Sequence, residues 1–170
     1  MSTQVPIGPP GVMGGFSLLD HYGRHVDDLT YRGSYVLMFF GFTHCKVICP
    51  RNLAKLSKVL DRLESLAERV CALYVTVDPA RDTPEIMRAY LEKQSYTRFT
   101  GLTGAPKNIR DVLSSFRVYS RRRDDEDGGY QMPHSAFTYL FDPLGRFVEH
   151  WPATMEADEI YLRLTRLLED

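Results

Sequence analysis

The chain has 170 residues, of which 44% are hydrophobic and 25% are charged. This composition predicts one globular domain whose core is large enough to fold without a disulfide framework. Lysine and arginine number 21 against 22 acidic residues, so the net charge is −1. Nothing in that balance suggests a nucleic-acid surface or a polybasic membrane patch, and we expect no nucleic-acid partner.

The longest apolar stretch runs from about Tyr35 to Phe42, far short of the ~20 residues that a membrane-spanning helix requires. The N-terminus also lacks the charged-then-apolar layout of a signal peptide. We therefore expect a soluble chain, with any membrane attachment made through an anchor that is absent from it. Residues 1–15 are rich in Pro and Gly and predict a flexible N-terminal segment, so the domain is expected to occupy 16–170.

The first predicted elements are a small hairpin and a parallel unit. Residues 16–20 and 25–26 predict two short strands that turn at Gly23. The runs 35–40 and 70–77 are continuously apolar and predict buried strands, and leucines at helical spacing predict a helix over about 50–67 between them. A helix between two such strands indicates a parallel βαβ unit.

The middle of the chain predicts two further helices. Thr83 is a favoured N-cap and Pro84 suits the first helical position, and the buried face of this helix is assigned to Ile86, Tyr90 and Leu91. The segment 101–104 contains two glycines and predicts a break before a helix over 106–116. Residues 117–120 predict a short strand, and the charged segment 121–129 predicts a solvated loop.

A hairpin and a helix close the chain. Residues 136–141 and 146–150 flank Asp142-Pro143-Leu144-Gly145, a turn sequence. A last helix is predicted to begin near Met155. A parallel βαβ half followed by an antiparallel hairpin and a final helix predicts an α/β domain with a thioredoxin-like fold: a central mixed sheet, an N-terminal hairpin and an inserted helix.

The residues best suited to chemistry are Cys45 and Cys49, which lie where a predicted strand leads into a predicted helix. A helix N-terminus stabilises a thiolate. With a rise of ~1.5 Å per residue, two Cα atoms four residues apart on a helix lie roughly 6 Å apart, inside the window of about 4.4–6.8 Å that a disulfide needs. The pair can therefore close as a disulfide or bind a metal. The alternative for any cysteine is a small buried side chain, which we expect for Cys71.

A metal site needs a third ligand, and the best candidate is His134, just before the strand 136–141. In a thioredoxin-like fold, the loop that enters this strand lies beside the N-terminus of the first helix. Two thiolates and one imidazole suit Cu(I) with three ligands, or Zn(II) with a fourth position open. The remaining histidines are expected to be surface or turn residues: His21, His25, His44 and His150.

Four motifs in order resemble the Sco/SenC family of copper-binding proteins over about residues 15–151. They are Gly41-Phe42-Thr43-His44-Cys45 with Cys49-Pro50, Val77-Asp78-Pro79-Ala80-Arg81-Asp82-Thr83-Pro84, Gly101-Leu102-Thr103-Gly104, and His134-Ser135 with Tyr139-Leu140-Phe141-Asp142-Pro143. The resemblance implies a thioredoxin fold with one copper ion, Cu(I) or Cu(II), bound by Cys45, Cys49 and His134. It also implies a part in maturing the binuclear copper centre of cytochrome c oxidase.

The same resemblance implies the partner and the location. The partner is the copper-bearing subunit of cytochrome c oxidase, or another copper or thiol protein. The location is the periplasmic side of the bacterial inner membrane or the mitochondrial intermembrane space. We expect the domain to be a monomer.

Some positions depart from the family's pattern. Lys46 and Val47 replace the usual Pro and acidic residue, and Pro133 replaces the usual Asp before the histidine. The Lys46 ammonium is expected to stabilise a nearby thiolate, and the missing carboxylate removes a possible contact of His134. Asp78 and Asp82 match the family's acidic signature, and we assign them no direct copper contact.

Three functions compete. The primary hypothesis is a copper metallochaperone that passes its ion on by ligand exchange. The alternative is a thiol-disulfide oxidoreductase that reduces partner cysteines with Cys45 and Cys49 as its redox pair and without His134; a weaker one is a peroxidase. Because a disulfide and a metal-bound dithiolate exclude each other, we also hypothesise that redox state gates copper loading.

Overall fold

A computed structural model describes residues 16–43, 48–116, 123–124, 130–131 and 137–169. The main strands are β1 (Ser17–Asp20), β2 (His25–Asp27), β3 (Tyr35–Gly41), β4 (Val70–Thr76), β5 (Phe99–Thr103), β8 (Phe137–Phe141) and β9 (Phe147–Pro152); β6 (Arg123–Asp124) and β7 (Tyr130–Gln131) are two-residue strands. The helices are α1 (Ile48–Leu63), α2 (Pro84–Lys93), α3 (Pro106–Phe116) and α4 (Ala157–Glu169). Within these residues, the main strands form one seven-stranded sheet in the order β2-β1-β5-β4-β3-β8-β9.

The strands β3 and β4 form the centre of this sheet. They run parallel, with Tyr35 opposite Val70, and β8 runs antiparallel on the other side of β3. The residues of β3 from Val36 to Phe40 are all buried, because helices cover both faces of the sheet. A strand covered on both faces has a continuous apolar sequence rather than an alternating one. The predicted mixed α/β sheet with a βαβ unit is confirmed.

The helices divide the core into two layers. The helices α1, α2 and α4 pack on one face of the sheet around Phe39, Tyr74 and Trp151. The helix α3 packs on the other face, where the Phe116 ring lies edge-on to the ring of Tyr139. Both faces are therefore covered at the centre of the sheet, and the buried polar side chains of Thr76, Thr103 and Thr138 lie at or next to strand ends.

The first helix differs from its prediction at both ends, since it runs from Ile48 to Leu63 rather than over 50–67. Glu64 has a φ of 54°, a left-handed conformation through which an α-helix does not continue. The chain goes on as a 3-10 helix over Glu64–Arg69, in which Ala67 is still buried. The apolar spacing therefore extends beyond the α-helix itself.

The segment 101–104, predicted as a break, lies mostly in strand β5, which pairs in parallel with β4. Gly101 packs beneath α2, and a Cβ on it would lie 3.1 Å from Cε of Met87 and 3.3 Å from Cδ1 of Leu91. This glycine allows close helix–sheet packing rather than a turn. The predicted buried face of α2 is wrong at Ile86, which is 43% exposed, because Met87 takes that place.

Both predicted hairpins are confirmed. The first turns at Gly23 and the second at Gly145, and both glycines have a φ near +80°, which glycine adopts without strain. The last helix begins at Ala157, two residues after the predicted start. Cys71 is only partly buried rather than fully buried.

Part of the predicted solvated loop over 121–129 is ordered as β6, which pairs with β7. The rest of that loop, the predicted strand 117–120 and the segment 1–15 lie outside the described residues. In the described part of the chain, none of the helices is both long enough and apolar enough for a membrane span.

The first hairpin is fastened to β5 through a histidine, which predicts a pH effect on stability. The Gly101 N–H donates to Nδ1 of His21 at 2.9 Å. Burial lowers the pKa of His21 below its ordinary value of 6.5, although Asp20 acts to raise it. The neutral ring is thus favoured by folding, so its contribution to stability is present above pH 6.5 and is lost as the pH falls through the lowered pKa.

We expect His21→Gln, which keeps a hydrogen-bond acceptor but does not titrate, to lose less free energy of unfolding than the unsubstituted chain as the pH falls from 7 to 5. Denaturant unfolding of the metal-free protein at several pH values measures the difference. Equal losses in the two proteins would contradict the assignment.

Candidate metal centre

The structure describes one of the three predicted ligands in part. Cys49 is the second residue of α1, and its backbone is described. Its predicted place at a helix N-terminus is therefore confirmed. Cys45 and His134 lie outside the described residues, as does His44. The three-ligand site remains a prediction, and the neighbouring residues define its surroundings.

The strands β3 and β8 place the attachment points of the two predicted ligand-bearing segments at one edge of the sheet. Phe39 lies opposite Thr138 in their antiparallel ladder, so the end of β3 lies beside the start of β8. Cys45 follows the last residue of β3 by four positions, and His134 precedes the first residue of β8 by three. Since each residue spans at most about 3.6 Å, both ligands attach within a short reach of the same edge.

A buried hydrogen bond joins the beginning of α1 to β8. Nδ2 of Asn52 donates to Oγ1 of Thr138 at 3.4 Å, and the two residues are 2% and 0% exposed. Asn52 follows Cys49 by three positions, and Thr138 follows His134 by four. The bond therefore holds the beginning of the cysteine-bearing helix against β8, the strand that follows His134.

Two more side chains fix the beginning of α1. The Tyr96 hydroxyl donates to the carbonyl of Pro50 at 3.2 Å. Nζ of Lys55 donates to the carbonyls of Ala153 and Met155 at 2.5 and 2.7 Å, and burial lowers the pKa of Lys55. These contacts hold the first two turns of α1 to the rest of the domain, so the backbone position of Cys49 is set by tertiary structure.

On the other side of the same edge, Asp82 connects the ends of three strands. Its carboxylate accepts hydrogen bonds from the N–H and Oγ1 of Thr43, at 3.0 and 2.6 Å, and from Oγ1 of Thr76 at 2.7 Å. Oγ1 of Thr103 donates to its main-chain carbonyl at 2.6 Å. Asp82 is 0% exposed, so the group is an internal part of the sheet edge.

The other acid of this motif, Asp78, is also buried. Its carboxylate accepts from Nε of Arg81 at 2.5 Å, and its N–H donates to Oγ1 of Thr76 at 2.9 Å. The Arg81 guanidinium lies 5.5 Å from the ring centroid of Phe42, which is cation–π geometry. Both acids thus make contacts within the protein, and the expectation that they make no direct copper contact stays a prediction.

Sequence reasoning missed Asn52 and Thr138. The available signal was a polar residue within an apolar pattern: Asn52 lies on the buried stripe of α1 next to Leu53, and Thr138 lies inside an apolar strand. A buried polar side chain needs a hydrogen-bond partner. That rule indicates that each has a partner, although it does not name one.

The other histidines behave as expected where the structure describes them. His25 and His150 are exposed, and His21 accepts a backbone hydrogen bond. Across the described ranges, no group of three or more His, Cys, Asp or Glu side chains is arranged to hold a metal ion. The described residues therefore offer no metal site that competes with the predicted one.

The family model described as SCO1/SenC matches residues 5–169 of the chain. Protein sco1 of Schizosaccharomyces pombe is 41% identical over 158 residues, which is 91% of this chain and 60% of that protein. The mitochondrial SCO2 homolog of Bos taurus is 43% identical over 150 residues, which is 86% of this chain and 56% of that protein. The chain thus spans less than two thirds of the length of these two relatives.

The fold is also similar to that of solved structures. The structure of Bradyrhizobium japonicum ScoI with copper bound has a TM-score of 0.84 and 39% sequence identity, and the match covers 91% of this chain and 98% of that one. This similarity confirms the predicted thioredoxin-like fold. The match to the family model over nearly the whole chain, together with these relatives, shows that the protein belongs to the SCO1/SenC family.

Proposed function

We propose that this domain is a copper-binding metallochaperone that assists assembly of the binuclear copper centre of cytochrome c oxidase. Copper is its cargo: the thiolates of Cys45 and Cys49 and the neutral imidazole of His134 hold one ion. The observation that carries the proposal is the hydrogen bond from Asn52 to Thr138, which joins the cysteine-bearing helix to the strand that follows His134. Membership of the SCO1/SenC family supports the role.

The donor set fits this cargo. Two thiolates and an imidazole are soft or borderline ligands that suit Cu(I), although Zn(II) accepts the same donors. The copper in the Bradyrhizobium japonicum ScoI structure supports copper over zinc. The position of Cys49 in the first turn of α1 favours the thiolate that metal binding requires.

Release to the recipient follows from the same ligands. A three-coordinate ion leaves room for an incoming ligand, so copper can pass to the copper-bearing oxidase subunit by exchange of one bond at a time. Oxidation of the two thiols to a disulfide would remove both sulfur ligands. The redox state of the pair therefore determines whether the domain is able to load copper.

A second candidate function is thiol-disulfide exchange. The place of Cys49 at a helix N-terminus favours it as much as it favours metal binding, because both need a thiolate. This function uses the two cysteines and does not require His134. The two functions therefore differ in their dependence on the imidazole.

The location and assembly state belong to the same proposal. We infer a domain that works as a monomer in the mitochondrial intermembrane space or on the periplasmic side of a bacterial inner membrane. The mitochondrial SCO2 homolog of Bos taurus supports the first compartment, and the bacterial origin of the copper-bound ScoI supports the second.

The proposal predicts that copper stabilises the reduced protein. A ligand that binds only the native state raises its stability by about 2.7 kcal/mol when the free ligand is at 100 times its Kd. Thermal unfolding with buffered Cu(I) is expected to show a higher Tm for the reduced protein and an unchanged Tm for the disulfide form. An unchanged Tm of the reduced protein, together with catalysed reduction of a disulfide substrate, would instead support the oxidoreductase.

A further inference from the structure

The acidic motif over residues 78–82 has no part in copper binding as proposed above, yet it is built into the edge of the sheet where the cysteines attach. We propose that Asp82 is a positioning residue: it fixes the chain at Thr43, two residues after the end of β3, and thereby sets how the thiols of Cys45 and Cys49 bind copper. It acts through Thr43. The copper part of this inference rests on the proposed function, and a metal-free measurement tests the remainder.

The carboxylate of Asp82 is held by uncharged donors in a buried site. Burial of a carboxylate is costly unless hydrogen bonds replace its water, and three such bonds reach this group from Thr43 and Thr76. A carboxylate accepts in several directions at once. This capacity lets one side chain tie two strand ends together.

Thr43 links the Asp82 carboxylate to the segment that carries the cysteines. It is held at two points, since its N–H and its Oγ1 both donate to Asp82, and these contacts fix its backbone as well as its side chain. The Val77 N–H donates to the carbonyl of Gly41 at 2.8 Å and supports the same exit from β3. Cys45 follows Thr43 by two positions, a reach of at most about 7 Å.

Asp82 is itself anchored from another direction. Its N–H donates to the carbonyl of Asp78 at 3.0 Å, and its carbonyl accepts from Oγ1 of Thr103 in β5. The next residue, Thr83, is the N-cap of α2. The backbone of Asp82 is thus held by β5 and by the start of α2. Its carboxylate in turn holds Thr43, just after the end of β3.

Four variants separate positioning from general stability and from charge. Asp82→Ala removes all three carboxylate contacts, and Thr43→Val removes one of them from the other side. Asp82→Asn removes the charge but keeps the shape, because its amide oxygen can accept and its NH₂ can donate to the Thr43 hydroxyl. Thr30→Val is the matched control, since it also deletes a threonine hydroxyl that donates to an aspartate, here Asp27 in the edge strand β2, and leaves Asp82 and its partners untouched.

The test measures copper affinity by chelator competition, the copper–thiolate charge-transfer spectrum, and the rate of thiol alkylation by iodoacetamide in the metal-free reduced protein. Loss of a group that supports a metal ligand typically costs about 10–100-fold in affinity. We expect a loss of that order in Asp82→Ala and Thr43→Val, with altered spectra and alkylation rates. We expect Asp82→Asn to restore most of the affinity, and Thr30→Val to keep wild-type values in all three readouts.

The proposal is overturned if Asp82→Ala and Thr43→Val keep the wild-type spectrum and alkylation rate. It is also overturned if Thr30→Val changes these readouts as much as they do, because the effect would then follow stability alone. Should Asp82→Ala fail to fold, Thr43→Val and Asp82→Asn still test the proposal. A wild-type spectrum and alkylation rate in Thr43→Val would then overturn it. If the wild-type protein binds no copper, the proposed function fails, while the alkylation rates still test the role of Asp82.

Discussion

Replacing His134 with alanine is expected to weaken copper binding by the reduced protein about 100-fold or more. Loss of a group that only supports a ligand already costs about 10–100-fold, and this substitution removes one of three ligands. Competition titration with a chelator of known copper affinity measures the change. The cysteines are retained, so reduction of a disulfide substrate is expected to proceed as in the unsubstituted protein.

The matched control is His150→Ala. His150 lies on β9 opposite Tyr139 in β8, is exposed, and has its ring 5.4 Å from that of Phe137 at the start of β8. It therefore tests whether any imidazole near this strand is sufficient. We expect its replacement to leave the copper affinity unchanged, and equal losses in the two variants would refute the assignment of His134.

Replacing Leu56 with alanine is expected to cost about 2–5 kcal/mol of unfolding free energy, the usual range for a leucine deleted from a packed core. Leu56 is 0% exposed and packs between α1 and the sheet. This is the largest stability effect that we predict. Urea unfolding of the metal-free protein measures it.

Leu162→Ala provides the comparison, because it makes the same chemical change on a helix at a residue that is 50% exposed. Helix propensity changes equally in the two variants, so the difference between them reports burial. We expect the second variant to lose less than about 0.5 kcal/mol, as surface substitutions commonly do. Equal, small losses would mean that α1 is not held by its apolar face, and the basis for a fixed Cys49 would be lost.

The sequence predicted most of the sheet because β3 and β4 are short, continuous apolar runs, which favour buried strands, and because both hairpins carry turn residues. It missed β5 because the sequence alone does not distinguish a glycine in a turn from a glycine in a strand that packs under a helix. The packing of Met87 and Leu91 over Gly101 decides between them, and that contact joins residues from different elements. The end of α1 was missed for a similar reason, since apolar spacing continues past the left-handed Glu64.

The candidate ligand residues of the site were predictable from the sequence, but the hydrogen bonds that position the surrounding elements were not. Cysteine and histidine are distinctive, and their spacing already indicates a metal or a disulfide. Asn52 and Thr138 are 86 positions apart, and Thr43 and Asp82 are 39 positions apart, so no local pattern pairs them. The fold places each pair together by bringing the ends of β3, β4 and β8 to the same edge.

X-ray absorption at the copper edge of the reduced, copper-loaded protein, compared with its His134→Ala variant, tests the three-ligand site. We expect each copper ion to have two sulfur ligands and one imidazole nitrogen, and we expect the nitrogen contribution to disappear in the variant. A spectrum with sulfur ligands alone, the same in both proteins, would show that His134 is not a ligand.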